Sequence, residues 1–575
     1  MKTLARIAAV AGALLVLLAA GAADAARKSK DILQYIPADT PYVLAFTKPL
    51  PEDLLDKMEP AMDETLAAYR KMIEFMIADA RKKMADEEDG AGKAEQFEGL
   101  MQEVLSLLST QGLKDAGMGR DALFALYGDG LLPVMRFALS DGEKFQAAIT
   151  RFEDRAGTKL QVGELDGVPY RYQDFDGKAK LIIATPKDDA IITLVPAAYD
   201  DERLARTLGI RKPRNSLYRS KTLKGIAREY DFTDHITSFV DVERVAQSFF
   251  GDPSGLNKEL FEIAEYDSSK LDATCREEFS AIAAIAPRIV LGYTEVSDER
   301  LDALMVVELR EDLAKGLATL PAVVPGLGAD LGGLFTFGFS MDLLALRNFY
   351  ESRLDAMEAD PYECEALAEL QAGTAKGREV LMQPVPPIVY SFRGFLANVT
   401  DIAGFDLATQ KPPESIDGSL LIAMKNAQDL VNVAALMSPQ VAALNLLPDG
   451  DARLIDLPEL AELPGQLFAA LSGDGLAVAL GEGGAKQAEA MLEGDVDEPM
   501  PLMTFSMDAK RYYEFVGEAV MQADDSEEGE PMPQEMKAVI RDIMVSSGSV
   551  YDRMSTNLHL TERGIELGTS ITLAD

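Results

Sequence analysis

Nine cations, Arg203, Arg206, Arg211, Lys212, Arg214, Arg219, Lys221, Lys224 and Arg228, fall in one stretch that contains no Asp or Glu. They do so in a chain of 575 residues with a formal charge of −39. Arg offers a planar fork of donors to phosphate or carboxylate, and Lys offers a mobile point charge. The chemistry this implies is anion binding: phospholipid or lipopolysaccharide headgroups, teichoic-like polymers or an acidic partner. The plainer role is pairing with the chain's own 95 acidic groups, or docking one part of the chain on another. Nucleic acid is a poor partner, because the rest of the surface repels phosphate.

Other residue types that do chemistry are sparse. Cys275 and Cys364 are the only cysteines, and neither sits in a motif that lowers a thiol pKa; the functional expectation is a disulfide between them, the plainer one two separate buried thiols. His235 and His559 are the only histidines. That leaves little room for His-rich metal sites, and no G-x-S-x-G elbow supports Ser-His-acid catalysis. The acidic runs Asp86–Asp89, Asp495–Glu498 and Asp524–Glu528 make Ca²⁺ a candidate ion, yet none follows the D-x-[DN]-x-[DN]-G loop, and solvated loops are the better reading. Gly481-Glu482-Gly483-Gly484 lies between a strand and a helix, as a phosphate cradle would, but lacks the third glycine and reads as a tight turn. The methionines after Met500 could hold Cu(I), but Met503 and Met507 share a strand face with Phe505 and read as core. No cofactor is expected.

The elements that must position these residues begin after an address. Residues 1–25 read as a secretory signal peptide: Lys2 and Arg6, an apolar run from Ile7 to Ala23, then Ala23-Asp24-Ala25 as a small-x-small cleavage site. Cleavage would lower the formal charge from −39 to −40, since Lys2, Arg6 and Asp24 leave. No later stretch is long and apolar enough to span a membrane. The expected location is periplasmic or secreted, which permits disulfides.

The mature chain repeats one grammar: a short apolar strand, a polar turn, an amphipathic helix. Tyr42–Phe46 aligns with Leu334–Phe339, about 293 residues on. Val134–Leu139 aligns with Leu420–Met424, and Ile191–Leu194 with Leu476–Leu480, each about 285 residues on. His235–Asp241 aligns with Pro501–Asp508, and both halves close on a hairpin, Arg288–Leu309 and Val550–Leu573. The fold class is α+β: two tandem copies of a two-layer domain, an antiparallel meander sheet covered by amphipathic helices. Copy one spans 31–310 and carries a long helical insertion at 52–112; copy two spans 320–575. Asp166-Gly167 and Asp176-Gly177 mark hairpin turns, because both supply positive φ.

The segments Ile36–Pro41, Leu131–Leu139 and Asn215–Ser220 resemble a group of secreted bacterial proteins known only as a domain of unknown function. That resemblance implies a two-layer α+β envelope protein without assigned activity, and carries over no catalytic residue. The functional expectation is a non-catalytic binding or interaction protein of the envelope, whose ligand is anionic or amphipathic. The Met-rich helices of copy one and a cleft between the copies are its natural apolar places. The alternatives are a carboxylate- or metal-dependent hydrolase and a structural partner of another envelope protein.

Overall fold

A computed structural model describes residues 32–574, apart from 86–89, 121, 198, 252–255, 267–270, 372, 382, 405–412, 458–459, 461–462, 497 and 523–531. The signal segment, the acidic runs at 86–89 and 524–528, and residue 497 of the third run lie outside the described residues.

The strands are β1 (Tyr42–Phe46), β2 (Phe124–Asp129), β3 (Leu132–Ala138), β4 (Gln161–Leu165), β5 (Val168–Phe175), β6 (Ala179–Ala184) and β7 (Asp189–Pro196). Then come β8 (Ile236–Asp241), β9 (Arg288–Val296), β10 (Arg300–Glu308), β11 (Phe335–Ser340), β12 (Phe392–Ala403) and β13 (Ser415–Met424). The last are β14 (Arg453–Ile455), β15 (Leu467–Leu471), β16 (Gly475–Leu480), β17 (Met503–Asp508), β18 (Tyr551–Thr561) and β19 (Gly564–Leu573). Among the described residues all 19 belong to one sheet, and every pairing is antiparallel. Its order is β4-β5-β6-β7-β3-β2-β1-β8-β9-β10-β19-β18-β17-β11-β12-β13-β16-β15-β14. The class is α+β, with helices between the strands and one large antiparallel sheet.

Reading outward from the β10–β19 pair, the connectivity on each side runs closing hairpin, then β8 or β17, then β1 or β11, then β2-β3 or β12-β13. One row of directly paired residues crosses this span: Arg136, Ala125, Ala45, Thr237, Gly292, Leu304, then Gly568, Asn557, Thr504, Gly338, Leu396 and Leu421. Paired residues share a face, so this row defines one side of the sheet throughout. Arg136 and Leu421 stand at its two ends, each six strands from the middle.

Two expectations need correction. The sheet is not covered on one face alone, as a two-layer domain would have it. Val43 and Ala45 pack in a core with Ile32, Ile36, Leu217, Leu223 and Ile226, while Leu44 and Phe46 pack on the other side with Phe137, Phe145 and Ile149. Strands apolar on both faces need cover on both, and β1 (Tyr-Val-Leu-Ala-Phe) is such a strand. The expectation of a cleft between the two parts gives way, along this edge, to direct strand pairing. β10 pairs with β19 along its whole length, Arg300 opposite Thr572 through Glu308 opposite Gly564.

The local predictions rest on turn chemistry. β4–β7 form the expected meander, with φ of 49° and 80° at Asp166-Gly167 and 55° and 67° at Asp176-Gly177. The insertion forms helices Glu52–Ala85, Gly90–Leu107 and Thr110–Asp115. In β11, β12 and β17 the alternation runs against habit. Thr336, Ser340, Asn398, Thr504 and Ser506 are buried, while Phe335, Phe337, Phe339, Phe395 and Phe505 on the opposite face are half-buried.

Cys275 and Cys364 lie at bonding distance, 2.04 Å between sulfurs and 4.7 Å between Cα atoms. Cys275 follows β8 in the first part of the chain, and Cys364 follows β11 in the second. Glu278 accepts from the backbone N–H of Glu363 (2.8 Å) and Cys364 (3.0 Å), so its carboxylate caps the start of helix Glu365–Gln371. Leu271, Phe279, Ile282, Tyr362 and Leu367 pack around the sulfurs.

Candidate anion-binding site

The basic stretch folds onto the same sheet face as Arg136. Asp200 Oδ1 accepts from Arg203 N (2.8 Å) and starts helix Asp201–Thr207. Leu204 and Leu208 are buried, which turns Glu202 and Arg206, one helical turn apart, outward. Gly209 at φ 73° ends the turn; a Cβ there would meet Arg136 Nη2 at 2.8 Å and the Tyr35 ring at 3.1 Å. Residues 211–217 then lie against 33–38. Ala38 N donates to Asn215 O (3.1 Å), Leu217 N donates to Ile36 O (2.8 Å), and Pro37 and Ser216 form a β-bridge. Helices Leu217–Ser220 and Thr222–Glu229 follow, burying Leu217, Leu223 and Ile226 and leaving Arg219, Lys221, Lys224 and Arg228 exposed.

These segments enclose a cleft of about 860 Å³. Its floor is Tyr35, Tyr127, Asp129 and Thr207. Arg206, Arg211, Lys212 and Arg214 stand around it, joined by Arg244 from helix Val242–Phe250. The floor is held from beneath by Arg136, which is 1% exposed. Its guanidinium donates to Asp189 Oδ2 (3.0 Å) and Thr207 O (3.1 Å) and lies 4.2 Å from the Tyr35 ring centre. A buried guanidinium needs such partners, because desolvation otherwise costs several kcal/mol. Lys212 Nζ reaches Gln34 Oε1 (2.6 Å) and lies 5.0 Å from the same ring centre, so Tyr35 is flanked by two cations. Burial pushes the Tyr127 hydroxyl up, with Arg136 opposing. Burial, reinforced by the Asp129 carboxylate, pushes Tyr199 far up. Tyr199 therefore stays protonated and donates to Asp129 Oδ2 at 2.6 Å.

No family model matches the chain, and no curated protein or solved structure does. The site is therefore read from its own geometry.

Self-pairing accounts for only part of the basic stretch. Arg203 pairs with Asp200 (3.2 Å) and Glu259 (3.9 Å), and Arg211 pairs with Asp166 (3.7 Å). Among the described residues the other seven make no ion pair, Arg206, Lys212 and Arg214 in the cleft included. Four of the nine sequence candidates therefore converge on one cavity, four line the exposed side of the next two helices, and Arg203 faces its own partners. Sequence reasoning missed Arg244, Tyr35 and Asp129, which arrive from three other segments. It also passed over Arg136, whose signal was a cation between Met135 and Phe137 in an apolar strand.

The remaining candidates stay apart. His235 directly precedes β8 and His559 lies in β18, with β9, β10 and β19 between those strands. The His235 ring is pulled down in pKa by burial and then by Lys48. Among the described residues, no group of three or more His, Cys, Asp or Glu is placed to hold a metal ion. Gly481, at φ 105°, sits where a Cβ would strike Asp417 Oδ1. That carboxylate would repel a phosphate, and the loop is a tight turn.

Proposed function

We propose that this is a non-catalytic binding protein of the cell envelope that takes an anionic ligand in the cleft beneath Arg206, Lys212 and Arg214. The carrying observation is that these three cations face one cavity without a carboxylate partner, in a chain rich in carboxylates. Phosphate or carboxylate oxygens would complete them by charge-assisted hydrogen bonds. The half-buried Phe337 and Phe395 lie on the opposite face of the sheet, so the cleft supports the anionic part of the ligand rather than an apolar part.

We further propose that residues 31–310 and 320–575 arose as two copies of one unit; the repeated pairing order supports this. The apolar start of the chain and the Cys275–Cys364 pair support export to the periplasm, and among the described residues no helix is long and apolar enough to cross a membrane. The test of binding is a triple substitution, Arg206→Ser, Lys212→Ser and Arg214→Ser, read by isothermal titration with glycerol 3-phosphate. Affinity falls at least a hundredfold if each lost contact is worth about 1 kcal/mol or more. Unchanged affinity in the folded variant refutes the assignment.

A further inference from the structure

The cleft is not simply positive. Asp39, Asp129 and Glu202 line it together with the five cations. Arg211 and Arg244 are partly spoken for by Asp166 (3.7 Å) and Asp241 (2.9 Å), neither of which lines the cavity. What remains is three cations and three carboxylates that share a cavity and, among the described residues, form no ion pair with each other or with any other side chain. A site built only for an anion has no use for carboxylates in its wall, because each one weakens the anion's binding.

Asp39 and Glu202 are exposed together with the cations, and Asp129 is the half-buried carboxylate of the three. Asp129 ends β2 at the floor, its side chain fixed by the Tyr199 hydroxyl at 2.6 Å. Arg206, Lys212 and Arg214 are exposed around the opening. A half-buried carboxylate suits an ammonium group, which it holds by a charge-assisted hydrogen bond. Exposed Arg and Lys around the mouth suit a phosphate that remains partly solvated.

We infer that the cleft binds a zwitterion, a phosphate ester of a primary amino alcohol, its ammonium on Asp129 and its phosphate at Arg206, Lys212 and Arg214. This deepens the proposed anion-binding function and rests on it. The same chemistry is presented by a free phosphoester and by an ethanolamine-type lipid headgroup.

The experiment titrates the purified chain with O-phosphoethanolamine and with glycerol 3-phosphate, which lacks the ammonium. O-Phosphoethanolamine binds at least tenfold tighter, and Asp129→Asn abolishes that preference, because it removes the ammonium's partner and relieves the repulsion of the phosphate in both esters. The comparison of ligands on the unaltered chain stands even if Asp129→Asn fails to fold. Equal affinity for the two esters overturns the zwitterion and leaves the anion reading intact; binding of neither overturns both. Co-sedimentation with phosphatidylcholine vesicles, with and without phosphatidylethanolamine, separates the sources. Retention on the ethanolamine vesicles alone supports the headgroup, and binding of the soluble ester without vesicle retention supports the free one.

Discussion

Between β7 and β8 the chain runs through 203–228, with nine cations and no acid; between β16 and β17 it runs through 481–501, with Lys486 against six acids. The two connections hold the same place in the pairing order and cover the same sheet face. Leu217, Leu223 and Ile226 pack on one side of the row of paired residues, and Ala488 and Met491 pack on its far end with Ala477 and Ala479. Beneath them stand Arg136 and Leu421, at matching stations, 1% and 0% exposed. The difference shows which features belong to the fold and which to the site. Apolar cover over the sheet is present in both and is structural. The run of cations, and the buried Arg136 that props Tyr35 and Thr207, belong to the first connection, where the cleft lies.

The sharpest way to break this comparison is to exchange the two end stations. Leu421→Arg places a guanidinium between Leu396 and Ala477, opposite no carboxylate. An unpaired buried charge costs several kcal/mol, so about 5 kcal/mol or more of stability is lost. Arg136→Leu is milder. It leaves the Asp189 carboxylate and Thr207 carbonyl without their guanidinium, but Asp189 keeps 19% of its side-chain surface in water. The expected loss is about 3 kcal/mol, with weaker binding of glycerol 3-phosphate as the floor loosens. Urea unfolding of both variants is the measurement. If Leu421→Arg unfolds at the same midpoint as the parent, the two stations are not equivalent in environment, and the comparison falls.

The physical reach of sequence reasoning is visible in the same parts. The β4–β7 meander was legible because Asp-Gly turns act within four residues. The long helix from Glu52 was legible because its apolar spacing is local. β12 escaped, although it is the longest strand among the described residues: Phe392–Ala403 mixes Arg393, Asn398, Thr400 and Asp401 with its apolar residues, which blurs the alternation. The β10–β19 pairing escaped because it joins residues more than 250 apart, with no local signature. The cleft was half legible. The charge run marked one wall, but the floor gathers Tyr35, Tyr127 and Asp129 from distant segments, and only folding brings them together.

A smaller effect sharpens how far the two parts stand alone. The Cys275–Cys364 bond closes a sequence separation of 89 residues and ties the helix Ala273–Ala283 to the segment before helix Glu365–Gln371. Closing such a loop restrains the unfolded chain, and its loss costs about 2 to 4 kcal/mol. Cys275→Ser with Cys364→Ser should lower the urea midpoint without changing the cleft, which is built from other residues. Binding of glycerol 3-phosphate therefore stays within twofold. A binding loss equal to that of the cleft variants would mean that the two parts are mechanically coupled through the bond.

The smallest effect is the most direct test of equivalence, because it compares like with like. Asp241 ends β8 and accepts from Arg244 N at 3.0 Å; Asp508 ends β17 and accepts from Arg511 N at 3.0 Å. Each caps the helix that follows, so Asp241→Ala and Asp508→Ala each cost about 1 kcal/mol. The arginines then differ. Arg244 Nε lies 2.9 Å from Asp241 and lines the cleft, whereas Arg511 Nη2 reaches Asp401 at 2.6 Å. Removing Asp241 therefore frees a cleft cation, and glycerol 3-phosphate binds a fewfold tighter in Asp241→Ala. Removing Asp508 leaves binding alone. Equal destabilisation with unequal binding is the outcome expected of one structural station put to use in only one of its two positions; equal binding changes in both variants would remove Arg244 from the site.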